Sequence, residues 1–160
     1  MLRRDLTRGR SNLLRYRRAI VLLSMAGMAM LAPGTLLQFG IIDHLPDPPL
    51  PKFHADEISL SDAAYRLGSP DAPVGMTSFG MNMILAGLGG KDRAARRRWL
   101  PIVAAAKASA DMGAAAAYVY TMKTKRTWCA YCLATAALQL SIFAVSLPEA
   151  LAAFRHSTRA

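Results

Sequence analysis

The sequence predicts an all-α fold, an integral membrane four-helix bundle with a long outer loop between helices 1 and 2. Three observations predict it. The chain is 53% hydrophobic and only 19% charged over 160 residues, too apolar for a disordered polybasic chain, whose few hydrophobic groups could not offset the entropy of ordering. Its apolar runs reach the length needed to cross a hydrocarbon core of about 30 Å at about 1.5 Å per helical residue. Its 20 Lys and Arg against 10 Asp and Glu, a net charge of +10, are gathered into the segments between those runs. A nucleic-acid binder would instead need its cations on one folded face.

Residues 1–18 form a basic N-terminal segment with seven arginines, Arg3, Arg4, Arg8, Arg10, Arg15, Arg17 and Arg18, and one acid, Asp5. The first span is the uncharged run 19–42. A cleaved signal peptide is the alternative, but the run exceeds the roughly 7–15 apolar residues of such a segment. Pro33 and Gly34 are expected to kink it, with neighbouring helices satisfying the freed backbone groups.

The loop 43–73 changes character. It holds six prolines and six acids, with Lys52 and Arg66 its only cations. A short helix is expected near 60–67, opened by Ser59 or Ser61 as cap. The second span, 74–90, is close to the shortest that can cross, and Gly75, Gly80 and Gly87 would let another backbone approach. Residues 91–98 carry five cations and one acid. The third span, 99–122, is alanine-rich, and its runs 104–106 and 114–117 are expected to pack against other helices. Lys107 and Asp111 interrupt it four residues apart, on one helical face. They read as a mutual ion pair with Lys107 reaching toward the cytoplasmic end, or as a proton route or head-group contact. The fourth span, 128–154, has an uncharged centre at 133–147, and 155–160 is a cytoplasmic tail.

Four spans put alternate segments on opposite sides. One side receives 14 Lys and Arg and the other 5, the positive-inside pattern with both termini cytoplasmic. Lys123, Lys125 and Arg126 fall on the outer side and require an explanation of their own.

The only cysteines are Cys129 and Cys132. On a helix, positions i and i+3 share a face, so the sulfurs can meet. At the start of the fourth helix they also lie at the positive end of its dipole, which favours a thiolate. Spacing alone leaves redox chemistry and simple packing both open. A structural zinc site needs about four ligands, and His44, His54 and His156 do not complete one, so no metal is expected.

The surrounding residues narrow the choice. The run WCAYCLATAALQLSIFAVSL from Trp128 resembles the start of the last core helix in bacterial members of the vitamin K epoxide reductase family. The run AYRLGSPDAPVG from Ala64 is similar to the family's approach to its second helix. The order of helices and the long first loop also match, and the resemblance covers about residues 19–147. It implies a bundle enclosing a quinone, ubiquinone or menaquinone, beside the cysteine pair, in the bacterial inner membrane with the CxxC at the periplasmic face. It implies electrons arriving from a thioredoxin-fold periplasmic partner or from substrate protein thiols. Cys129 would then be the sulfur that exchanges with the incoming thiol, and Cys132 the one facing the quinone. Asp71 falls near the family's polar position at the mouth of the second helix, with a helix-dipole role as the alternative. Tyr131 is a candidate to stack on the ring.

One departure stands out. The loop 43–73 contains no cysteine, so the family's shuttle pair is missing, and its loop serine is matched only loosely by Ser59 or Ser61. Direct exchange at Cys129 is the expected substitute, with a relay supplied by a separate protein as the alternative. The competing function is a non-enzymatic or diverged membrane subunit whose cysteines are structural. Seven methionines, among them Met25, Met28 and Met76, are expected in core packing, with a pocket for an isoprenoid tail as the alternative. Tyr118, Tyr120, Trp128 and Tyr131 are expected at the outer interface.

Overall fold

The structure is a computed structural model that describes residues 7, 9, 11–66 and 68–157. Arg3, Arg4, Asp5, Arg8 and Arg10 of the basic segment, Leu67, Arg159 of the tail and the side chain of His156 lie outside that description. The elements in chain order are α1 (Asn12–Gln38), α2 (Ala55–Ser59), a 3-10 turn (Asp62–Tyr65), α3 (Asp71–Gly87), α4 (Arg93–Arg96), α5 (Trp99–Lys125) and α6 (Ala130–Ser157). Among the described residues the sole β feature is an isolated bridge between Phe53 and Trp128.

The four long helices α1, α3, α5 and α6 form the predicted all-α bundle. α1 packs closely on α3 and α6, and α5 on α6, while α3 and α5 meet only loosely. That loose seam matters for the site. α1 and the Ala130–Arg155 part of α6 are long and apolar enough to cross a membrane, with mean hydropathy 1.9 and 1.7. Their outward faces stay apolar, with Leu22, Met25, Leu140 and Leu151 all more than half exposed, as lipid contact allows and water disfavours.

α1 begins at Asn12, ahead of residue 19, because the Ser11 hydroxyl accepts the Leu14 amide at 3.3 Å and caps the helix. Arg15, Arg17 and Arg18 are therefore helical. Pro33 lies inside a helix that continues to Gln38. Gly27 and Gly75 give α1 and α3 their close approach. A Cβ on Gly27 would overlap the Phe79 ring, and one on Gly75 would come within 2.7 Å of Leu31. Gly80 and Gly87 face open space instead.

The short helix expected at 60–67 is replaced by α2 and the 3-10 turn. Ser61 adopts an extended backbone between them and precedes the turn, but its hydroxyl donates back to the Ile58 carbonyl at 2.8 Å rather than capping. Asp56 in α2 is held by the Leu45 amide at 2.8 Å and by His44.

At the basic end of the bundle two arginines are structural. Arg17, 2% exposed, donates to the carbonyls of Ala86, Leu88, Gly89 and Gly90. These belong to the C-terminus of α3 and its exit, where carbonyls lack helical partners. Arg93, also 2% exposed, donates to Leu85 and Leu88 and forms a bidentate pair with Glu149 on α6, at 2.7 and 2.5 Å. At the other end, Lys123 and Lys125 occupy the last turn of α5 and Arg126 follows in a left-handed conformation. Cations there complement the negative end of the helix dipole, which accounts for their place.

Candidate functional site

Cys129 stands immediately ahead of α6 and Cys132 in its first turn. They form a disulfide with Cα atoms 5.2 Å apart. The helix start makes this geometry: the Leu133 amide donates to the Cys129 carbonyl at 3.0 Å, and the Cys132 amide donates to the Cys129 sulfur at 3.1 Å. The Cys129 sulfur thus takes an N-terminal helix amide, as a capping side chain does. The Cys132 amide and the dipole of α6 favour a thiolate at this sulfur when the bond opens.

The two sulfurs have different surroundings. Cys129 is fully buried, packed with Leu37, Leu45, Ala55, Ile58 and Met122. The loop after α1 lies over it and is tied down beside it. The Trp128 amide donates to the Lys52 carbonyl at 2.8 Å, and the His54 amide to the Trp128 carbonyl at 3.0 Å. Cys132 is partly buried and lines a cavity of about 310 Å³.

That cavity occupies the loose seam between α3 and α5. Its walls include Leu31, Phe79, Ala114, Ala115 and Ala136, and its polar lining includes Asp71, Ser78, Asp111, Tyr118 and Gln139. The alanines at 114–117 were expected to pack against other helices; Ala114, Ala116 and Ala117 are exposed, and the run borders empty space because its side chains are too small to fill it. Among the described residues no methionine lines this cavity; Met122 is core and Met25 is exposed.

Asp71 is the first residue of α3 and sits at the cavity mouth, where Gln38 donates to its carboxylate at 2.5 Å. Gln38 also accepts the Ala72 amide at 3.1 Å and donates to the Ser59 carbonyl at 2.9 Å, so it joins the end of α1 to the start of α3. Tyr131 does not line the large cavity. Its hydroxyl donates to the Pro46 carbonyl at 3.2 Å, and its ring borders a smaller space of about 40 Å³ shared with Cys132, Ser59 and Met30. Ser61 lines neither space.

Lys107 does pair with Asp111, at 2.5 Å. It does not reach toward the basic end as expected. It crosses to α3, donating to the Ser78 carbonyl and hydroxyl, each at 2.6 Å. Asp111 accepts from the Ser78 hydroxyl at 2.8 Å and from Asn82 at 3.0 Å. A charged group this deep is stabilised by partners within reach more than by distant water. Ser78, Asn82 and Glu149 were missed as partners in the sequence, and Gln139 as a lining residue of the cavity. Gln139 left a signal, as the lone amide in the uncharged centre 133–147.

Neither the curated proteins nor the solved structures contain a match to this chain. Residues 18–147 match the Vitamin K epoxide reductase family, a family of membrane oxidoreductases associated with quinones. A match over most of the chain, joined to a helical bundle with a cysteine pair at the start of its last helix, shows that the protein belongs to the vitamin K epoxide reductase family.

Proposed function

We propose that the protein is a thiol:quinone oxidoreductase of the cell inner membrane that passes electrons from periplasmic protein thiols through Cys129 and Cys132 to a bound quinone, ubiquinone or menaquinone, in support of disulfide formation. Both termini are cytoplasmic and the cysteine end faces the periplasm in this reading, which rests on the 14-to-5 division of Lys and Arg. The observation that carries the function is that Cys132 of the disulfide lines the bundle cavity while Cys129 lies on the loop side.

The cavity suits a quinone head group. Its volume of about 310 Å³ is at the lower end of small-molecule sites, its walls are apolar, and a buried amide oxygen of Gln139 lacks among the described residues a partner such as a hydroxyl of the reduced ring would supply. When bound, a quinone supplies an acceptor for two electrons and two protons. The residues that would hold it are those around Cys132, with Phe79 and Leu31 as walls and Asp71 at the mouth.

The chain's own chemistry is thiol–disulfide exchange. A partner thiolate attacks the Cys129 sulfur, the Cys129–Cys132 bond breaks, and Cys132 leaves as a thiolate beside the N-terminus of α6. The partner's second thiolate then attacks its own sulfur in the mixed disulfide and releases Cys129. The dithiol so formed is reoxidised from the cavity side. Direct exchange with a thioredoxin-fold partner or substrate protein needs no loop cysteine, but it requires the 43–58 cover to part from Cys129.

In the test, purified protein receives a reduced thioredoxin-fold partner and a soluble quinone. Quinone reduction is expected, with loss in Cys132→Ser; undiminished turnover in that variant would refute the assignment. The full burial of Cys129 favours one second reading, a subunit with a structural disulfide. In that case the disulfide stays inert to both mild dithiol and quinone.

A further inference from the structure

Among the described residues, the polar groups around the large cavity have partners with one exception. Ser78 donates to Asp111, and Asp111 in turn takes Lys107 and Asn82. Thr135 donates to the carbonyls of Tyr131 and Cys132, both at 3.0 Å, and Tyr118 donates to the Ala63 carbonyl at 3.1 Å. Asp71 is engaged by Gln38. Gln139 differs: it is 7% exposed, it lines the cavity, and its Oε1 has no hydrogen-bond partner among the described residues. A buried amide left in this state costs about 1–3 kcal/mol unless something else completes it.

The orphaned Oε1 is an acceptor that only a donor such as a hydroxyl completes, and the Gln139 NH₂ also makes no hydrogen bond among the described residues, which leaves it to donate to a carbonyl oxygen. Gln139 follows Cys132 by two helical turns on α6, about 10 Å along the axis and on the same face. Both side chains line one cavity. A six-membered ring with oxygens at opposite ends suits that separation, with sulfur at one end and a hydrogen bond at the other. An amide also serves both redox states of such a ring. Its NH₂ donates to a carbonyl oxygen, and its carbonyl accepts from the hydroxyl formed on reduction.

We propose that Gln139 is a positioning residue that binds the ring oxygen remote from Cys132, so that the inner end of the cavity is the recognition end of the quinone site. The Lys107–Asp111–Ser78 cluster forms the opposite wall and holds α3 and α5 in register around it. The inference rests on the quinone reading of the cavity and adds to it the residue that orients the ring.

The test uses the full-length protein in detergent, in its disulfide form so that no turnover occurs. A soluble short-chain benzoquinone is the probe, and its Kd is measured by equilibrium dialysis beside thermal melting of the ligand-free protein. Gln139→Met keeps the shape and removes the amide. It should weaken binding about tenfold, the equivalent of about 1.4 kcal/mol, while the melting temperature holds or rises because an unpartnered polar group has been removed. Unchanged Kd in Gln139→Met overturns the inference and leaves the function standing. A lower melting temperature with unchanged Kd identifies Gln139 as purely structural and overturns it too. If Gln139→Met does not fold, Gln139→Leu decides, since it also removes both the donor and the acceptor of the amide, and equal affinity refutes the role. Failure of the wild-type protein to bind the probe overturns both the inference and the quinone reading.

Discussion

Replacing Glu149 by Gln is a small change in shape with a large expected effect. Glu149 is 4% exposed and receives Arg93 at both oxygens, at 2.7 and 2.5 Å. Arg93 and Arg17 are each 2% exposed and share the Leu88 carbonyl as acceptor, so one carboxylate compensates a site with two buried guanidinium groups. In the Gln variant one oxygen becomes an NH₂ group that faces an Arg93 N–H, so one hydrogen bond is lost and the other becomes charged-to-neutral. A lost bond to a buried charge costs about 1.5–3 kcal/mol. Adding the uncompensated charge brings the total to about 3–5 kcal/mol, or roughly 10 °C in Tm for a chain of this size. The assay is thermal unfolding in detergent followed by circular dichroism. High salt should change the loss little, because buried pairs are weakly screened. Combining Arg93→Met with Glu149→Met should be milder than Glu149→Gln alone, since it leaves orphaned mainly the Leu85 carbonyl, which Arg17 does not reach. A Tm within a degree or two of wild type for Glu149→Gln, or simple additivity in the double variant, would refute the reasoning.

The packing makes two further predictions. Gly27→Val would drive its side chain into the Phe79 ring and force α1 from α3, costing about 1–3 kcal/mol or more in a melt; Gly80→Ala, facing open space, should be neutral or slightly stabilising because alanine is the better helix former. Leu45→Ala removes a fully buried side chain from the layer over Cys129. It should lower stability by about 2–5 kcal/mol and speed alkylation of the reduced Cys129 severalfold, as read by mass spectrometry; an unaltered alkylation rate would show that this cover does not control access.

Much of the fold was legible because its signals are local. Apolar runs and the residues that interrupt them marked four long helices, and the CxxC at the start of the last one was readable from spacing. Helix ends were less so: α1 starts at Ser11's cap and not where the charge ends, because an arginine is acceptable in a helix when its guanidinium has acceptors. In the site, Cys132 lines the cavity between α3 and α5, and Tyr131 turns to Pro46. A tyrosine follows its hydroxyl partner, and that partner lies 85 positions earlier in the chain. The covering of Cys129 was illegible for the same reason, since Leu45, Ala55 and Ile58 belong to a loop that reads only as proline-rich and acidic.

The sequence by itself determined an all-helical apolar bundle with charge gathered into its connections, a single cysteine pair and no loop shuttle pair. These follow from composition and short-range spacing, which act within a few turns of helix. The tertiary structure alone decided which of those residues have work inside the fold. Arg17 counts as a topology charge in the sequence, yet its acceptors lie 69 to 73 residues away on the exit of α3. Lys107 finds Ser78 across 29 residues and so holds a wall of the cavity. Buried polar groups must be satisfied by whatever the packing brings within reach, and only the packing separates the partnered ones from Gln139, whose Oε1 remains without one.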